Sequence, residues 1–188
     1  MNWKNTTERY GSLTIGIHWL MLLLFVAVYA LIELRELYPK GSDPREAMKM
    51  WHFMLGMLVF VLVWLRLAAR FSGPTPAIRP EPAGWMQLVA KLGHLALYAL
   101  MIGMPLLGWL TLNAAGKPVP FFGLEFPTLI GENKELGKQL KELHETIGTV
   151  GYYLIGLHVA AALYHHCILR DNTMTRMLPR ENNPARFE

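Results

Sequence analysis

Leu140–Leu169 reads LKELHETIGTVGYYLIGLHVAAALYHHCIL, and its reading decides the fold. Beyond Glu145 the run holds no Asp, Glu, Lys or Arg up to Leu169. That is enough to cross a hydrocarbon core, which takes about 20 residues. Yet the run carries His144 and His158. Titratable side chains at membrane depth are expensive, so they face the bundle interior and take a partner. Neutral imidazole is also a metal ligand. The two histidines are four helical turns apart, roughly 21 Å of rise, on nearly the same face. Two rings so placed can each serve one metal centre, one near each side of a bilayer.

Three more windows share this character: Ser12–Leu34, Met48–Ala69 and Met86–Ala114. Leu20–Leu31 has no polar side chain apart from the Tyr29 hydroxyl, and Phe53–Leu65 none apart from the Trp64 indole. A soluble bundle would show polar residues at helical period on each outer face. The expected fold is therefore all-α, an integral membrane four-helix bundle formed by one domain over 1–188. The apolar fraction of 53% and the mean hydropathy of +0.24 are only moderate, so the distribution of charge carries the argument, not the average. Lys4 and Arg9 before the first apolar run imitate a signal peptide. Three further spans, and the position of His18 inside the first, argue for a retained helix.

The net charge of +4 points to no nucleic acid, because the basic residues flank the spans. They favour the side of the two termini by a small margin, and the acidic residues favour the other, which places both termini in the cytoplasm. Trp3, Trp19, Trp51 and Trp85 fall near helix ends, as in an interfacial aromatic belt. The single Cys167 rules out an internal disulfide and covalent c-type haem attachment, and is expected as a buried small apolar residue. Ser72–Pro82, with four prolines, is expected to be extended and exposed. Pro105 is expected to kink the third helix. Gly116–Asn133 is a connection rich in Gly, Pro and Phe, with Phe121, Phe122 and Phe126 at the membrane interface. The fourth helix is expected to begin outside the membrane with a basic stripe of Lys134, Lys138 and Lys141.

A haem b between two helices needs two axial nitrogens at the same depth on facing helices. Alternating topology puts His18 near the inner side, His52 near the outer, His144 outer and His158 deeper. The pairs His52–His144 and His18–His158 follow. Gly56 and Gly148 each lie four residues after an outer histidine, where a macrocycle can approach the backbone; ordinary small-residue packing explains them equally well. His94 and His165 have depths compatible with the inner pair, and spacing alone leaves them open. His166 lies beside them.

The stretches Ile17-His18-Trp19-Leu20, Gly93-His94-Leu95, Leu143-His144-Glu145-Thr146, Gly156-Leu157-His158, His165-His166, Arg170-Asp171-Asn172-Thr173 and Arg176-Met177-Leu178-Pro179 carry a resemblance. The chain resembles the bacterial cytochrome b561 family of small di-haem membrane cytochromes over essentially its whole length. It departs at Leu143, where an aromatic residue is expected. The resemblance implies two non-covalent b haems with axial ligands at His18, His52, His144 and His158, which favours His158 over His165. It also implies electron transfer linked to the quinone pool in the bacterial inner membrane, with oxidation of superoxide at the outer face and ubiquinone as acceptor. On that reading Lys134, Lys138, Lys141, Lys49 and Arg45 are candidates to steer the anion. Arg9, Arg66, Arg70, Arg170 and Arg176 are candidates for the inner haem propionates. His94, His165 and His166 are candidate proton donors near the quinone. The rival reading is an electron-transfer subunit fed by a periplasmic or membrane redox partner. A non-redox transporter would need broken helices in pairs, and the sequence has none.

Overall fold

A computed structural model describes residues 3–179, so the single-domain span 1–188 reaches past the described residues at both ends. Four long helices follow the four apolar windows: α1 Ser12–Leu34, α2 Asp43–Phe71, α3 Gly84–Ala114 and α4 Lys134–Tyr164. Each is long and apolar enough to cross a membrane. α2 starts several residues before its apolar window because Pro44 sits in its first turn, where a missing N–H costs nothing. α4 starts early because the Asn133 side chain accepts from the Leu136 N–H at 3.0 Å and caps it. α3 continues unbroken past Pro105.

α1 packs along α2 and α3 along α4, and the two hairpins join through α2 and α3. Met21 and Leu24 of α1, Val59 and Val63 of α2 and Met101 of α3 form the mid-depth core. α4 buries only Gly137 and Gly151. Its seam with α1 is closed by side chains. The Tyr29 hydroxyl donates to the Gly148 carbonyl at 2.9 Å and fills the place a side chain at Gly151 would need. Tyr152 stacks at a tilt on Tyr29, ring centres 4.2 Å apart, and donates to Glu33 at 2.8 Å.

The two ends of the bundle differ. At one end lies a two-stranded antiparallel hairpin that the sequence reading did not foresee, β1 Val119–Phe121 and β2 Leu124–Phe126. Its turn residues, Phe122 and Gly123, both have positive φ, as a tight two-residue hairpin turn needs. Phe121 and Phe126 pack with Trp109 of α3 over Met57, and the Trp109 indole donates to the Pro127 carbonyl at 3.0 Å. Two of the three phenylalanines therefore turn inward, and only Phe122 is left largely exposed.

At the other end the first and last described stretches of the chain meet. Arg9 bonds the Leu178 carbonyl, and the Trp19 indole donates to the Met177 carbonyl at 2.7 Å. Arg176 bonds the carbonyl of Pro76, which is fully buried. The Ser72–Pro82 segment is thus not simply exposed: its carbonyls serve as acceptors for the C-terminal strap. Cys167, expected buried, is exposed. A π-helical turn, His165–Leu169, ends α4 there, and an apolar thiol on a lipid-facing turn needs no protein cover.

Candidate functional site

Of the seven histidines, His166 is exposed and the other six separate into three groups. At the hairpin end, His52 of α2 faces His144 of α4 with ring centres 6.3 Å apart and planes at 73°. At the terminal end, His18 of α1 faces His158 of α4, again at 6.3 Å, with planes at 72°. His94 of α3 lies against the other side of His158 at 5.5 Å. His165 turns away from all of these: its Nδ1 donates to Asp171. Asp171 is buried, which alone would raise its carboxyl. Hydrogen bonds from His165 and Thr173 outweigh that and hold it below the ordinary value.

The spacing of the pairs has a chemical meaning. Two metal–imidazole bonds of about 2.0–2.1 Å, plus about 1.1 Å from each nitrogen to its ring centre, separate the centres by about 6.2 Å. Among the described residues no group of three His, Cys, Asp or Glu side chains is placed to hold a bare metal ion. Each facing pair would offer a metal two imidazoles, and a metal that brings its own remaining ligands, as a porphyrin iron does, would suit them. The walls fit such a plate. A Cβ on Gly56 would meet nothing within 4 Å, and one on Gly108 would meet the His144 ring at 3.3 Å. Gly56, Gly108, Pro105 and Val119 line a cavity between His52 and His144. The residues present therefore fit a haem held between two helices.

The groups behind the rings differ. His52 Nδ1 donates to the Val28 carbonyl of α1 at 2.9 Å, which leaves the opposite nitrogen free to bind. His144 Nδ1 is buried without a partner. His18 Nδ1 lies 3.0 Å from the Arg66 guanidinium of α2. Arg66 Nε and Nη1 are buried with no acceptor, and the guanidinium lies 5.9 Å from the Tyr98 ring centre. Of the five arginines singled out in the sequence, Arg66 alone reaches a histidine pair. Arg9 and Arg176 hold backbone carbonyls, and Arg70 donates to Thr75.

A family model described as prokaryotic cytochrome b561 matches residues 9–180. The chain belongs to the prokaryotic cytochrome b561 family. Cytochrome b561 homolog 1 of Escherichia coli (strain K12) is 38% identical over 173 residues, covering 92% of this chain and 98% of that protein. A protein of Yersinia pestis named probable superoxide oxidase CybB is 39% identical over 174 residues, covering 93% and 98%. Cytochrome b561 homolog 2 of E. coli (strain K12) is 29% identical over 185 residues, covering 97% and 98%. As a member of this family the chain is a multi-pass inner-membrane protein of electron transfer, and the family implies b-type haem.

At the hairpin end most cations of this cytochrome b561 are already matched. Arg45 forks onto both Glu36 oxygens at 2.8 and 2.9 Å, Lys49 pairs with Glu46 at 2.6 Å, and Lys141 pairs with Glu145 at 2.8 Å. Lys134 is 4.0 Å from Glu132. Lys138 is exposed and has no ion pair among the described residues. The sequence reading missed Val28, because a backbone carbonyl has no residue signature. It also missed Tyr29, Gly108 and Gly151, whose roles come from what they face across a helix interface.

Proposed function

We propose that this chain carries two b haems, one held by His52 and His144 and the other by His18 and His158, and oxidises superoxide at one face while reducing ubiquinone at the other. The facing of two imidazole pairs at one spacing, on opposite halves of α4, is the observation that carries the reading. The relative named probable superoxide oxidase supports the choice of donor. On this reading the hairpin end is periplasmic and the end bearing the termini is cytoplasmic.

A b haem held by these histidines would supply reversible one-electron exchange. The chain does the rest. Val28 orients His52 for binding through its free nitrogen. Val119, Trp109 and Phe126 cover the hairpin-end cavity with apolar surface and keep bulk water from that side. Lys138 is the remaining free cation on the stripe that leads to His144. Superoxide leaves as dioxygen after giving up one electron, so two are consumed for each ubiquinone. Ubiquinone takes two electrons and two protons to become the quinol. His94, His165 and His166, at or near the terminal end, are the titratable groups from which those protons can pass.

The test is the purified protein in detergent, with a pyridine haemochrome count and stopped-flow consumption of superoxide by a soluble ubiquinone analogue. Two haems per chain and quinone-dependent consumption are expected. One haem or none overturns the two-centre reading. Two haems without superoxide consumption overturn the choice of substrate. That last result belongs to a second reading, in which a protein donor docks at the hairpin end. The ion pairs that occupy Arg45, Lys49 and Lys141 favour it, since they leave little net positive charge to attract a small anion.

A further inference from the structure

We infer that Arg66 raises the reduction potential of the centre at His18–His158 above that of the centre at His52–His144, and so makes electron flow from the hairpin end to the terminal end downhill. The inference rests on the two-centre reading above and adds a direction to it.

The two pairs have equal ring spacing, so the difference must come from what stands behind the rings. At the hairpin end, His52 donates its Nδ1 proton to the Val28 carbonyl. A ligand histidine that donates to a carbonyl becomes more basic. More electron density on the ligand stabilises the oxidised metal and lowers the potential. At the terminal end, His18 Nδ1 has a guanidinium at 3.0 Å in the place of that carbonyl. A guanidinium has only donors, so in this contact Nδ1 accepts; when His18 binds through Nε2 and carries its proton on Nδ1, Arg66 offers that proton no acceptor and cannot make the ring more basic. Its positive charge attracts an added electron, and inside a low-dielectric bundle that attraction is weakly screened.

The neighbouring charges sharpen the contrast. The charged groups that act on His52 and His144 are Arg35 and Glu145. Arg35 shares the exposed Glu36 with Arg45, at 3.0 and 2.8 Å, where water screens the remaining charge, and Glu145 pairs with Lys141 at 2.8 Å. Arg66 acts on His18, His94 and His158 and has no carboxylate within ion-pair distance among the described residues. Its Nε and Nη1 hydrogens are buried and unspent, and are therefore available to a carboxylate on a bound porphyrin. That second engagement does not change the sign. Removing Arg66 would then leave a carboxylate uncompensated beside the centre, which also lowers its potential. An electron moving between the centres oxidises the first and reduces the second, and Arg66 stays protonated throughout.

Redox titration of the purified holo-protein, followed by haem absorption, tests this. In wild type two potentials are expected, and the one that survives in His52→Ala, where the terminal-end centre remains, is the higher. Arg66→Gln should lower that higher potential by at least a tenfold change in the one-electron equilibrium, 59 mV, and leave the lower one in place. Arg66→Lys keeps a charge without the planar fork and should fall between. If Arg66→Gln fails to retain its terminal-end haem, the wild-type order and Arg66→Lys decide the matter. Two wild-type haems in the reverse order, or Arg66 variants that leave the higher potential unmoved, overturn the inference alone. A wild-type preparation with fewer than two haems overturns the reading beneath it.

Discussion

The two histidine pairs are alike in spacing and unlike in setting. His52 and His144 sit under an aromatic hairpin, with a backbone carbonyl behind one ring and matched ion pairs around them. His18 and His158 sit above the packed stretches around Arg9 and Leu178, with a third imidazole against His158 and, against His18, a guanidinium that has no ion pair among the described residues. α4 supplies one ring to each pair, so a single helix sets the distance between them. The partners come from different helices, α2 and α1, and bring their own surroundings. Equal geometry with unequal chemistry is what a one-way electron path needs, because identical centres would exchange electrons without preference.

The largest effect expected from breaking this comparison comes from its rings. His52→Ala and His158→Ala should each halve the haemochrome count, and the double variant should bind none. A haem count unchanged in either single variant would remove that residue from the ligand set. A smaller effect follows from the seam that holds the two halves in register. Gly151 lies seven residues from both His144 and His158, with the Tyr29 hydroxyl where its side chain would be. Gly151→Leu must displace Tyr29 and crowd Leu100, for a loss of about 1–3 kcal/mol. Thermal unfolding in detergent should show the lower midpoint, with both haems affected alike. Loss of one haem before the other would mean that the seam serves only one centre.

The smallest effect is confined to the terminal end. Asp171 is held below its ordinary value of 3.8, since burial, which raises it, is outweighed by hydrogen bonds from His165 and Thr173. A depressed folded value means the contribution is complete above the unfolded value and disappears as pH falls through the folded one. Asp171→Asn should cost on the order of 1 kcal/mol at neutral pH. The gap from wild type should close only in strong acid. A gap that closes instead between pH 5 and 7 would show that the bond is governed by another group.

Much of this was legible in the chain. The four apolar windows match the four helices closely, because burial in lipid leaves a run of uncharged residues that no loop can imitate. The spacing of His144 and His158 on one face follows from helix geometry alone. The loops were less legible. Gly116–Asn133 reads as irregular, yet it folds into a hairpin because Trp109 gives Phe126 and Pro127 something to close on. Ser72–Pro82 reads as exposed, yet Pro76 is covered by a strap from a hundred residues away. Cys167 reads as core and lies outside it, since hydrophobicity cannot tell a protein interior from lipid.

By itself the sequence settled that the chain has four membrane-spanning helices, that His144 and His158 share one of them, and to which family it belongs. Those properties depend on local composition and helical rise, which one residue after another dictates. Only the tertiary structure decided that His94 rather than His165 stands against His158, that Val28 backs one histidine pair, and that Arg66 alone among five arginines reaches the other. Such contacts join residues far apart in the chain, and they depend on how helices rotate about their axes when packed. No local pattern encodes that rotation.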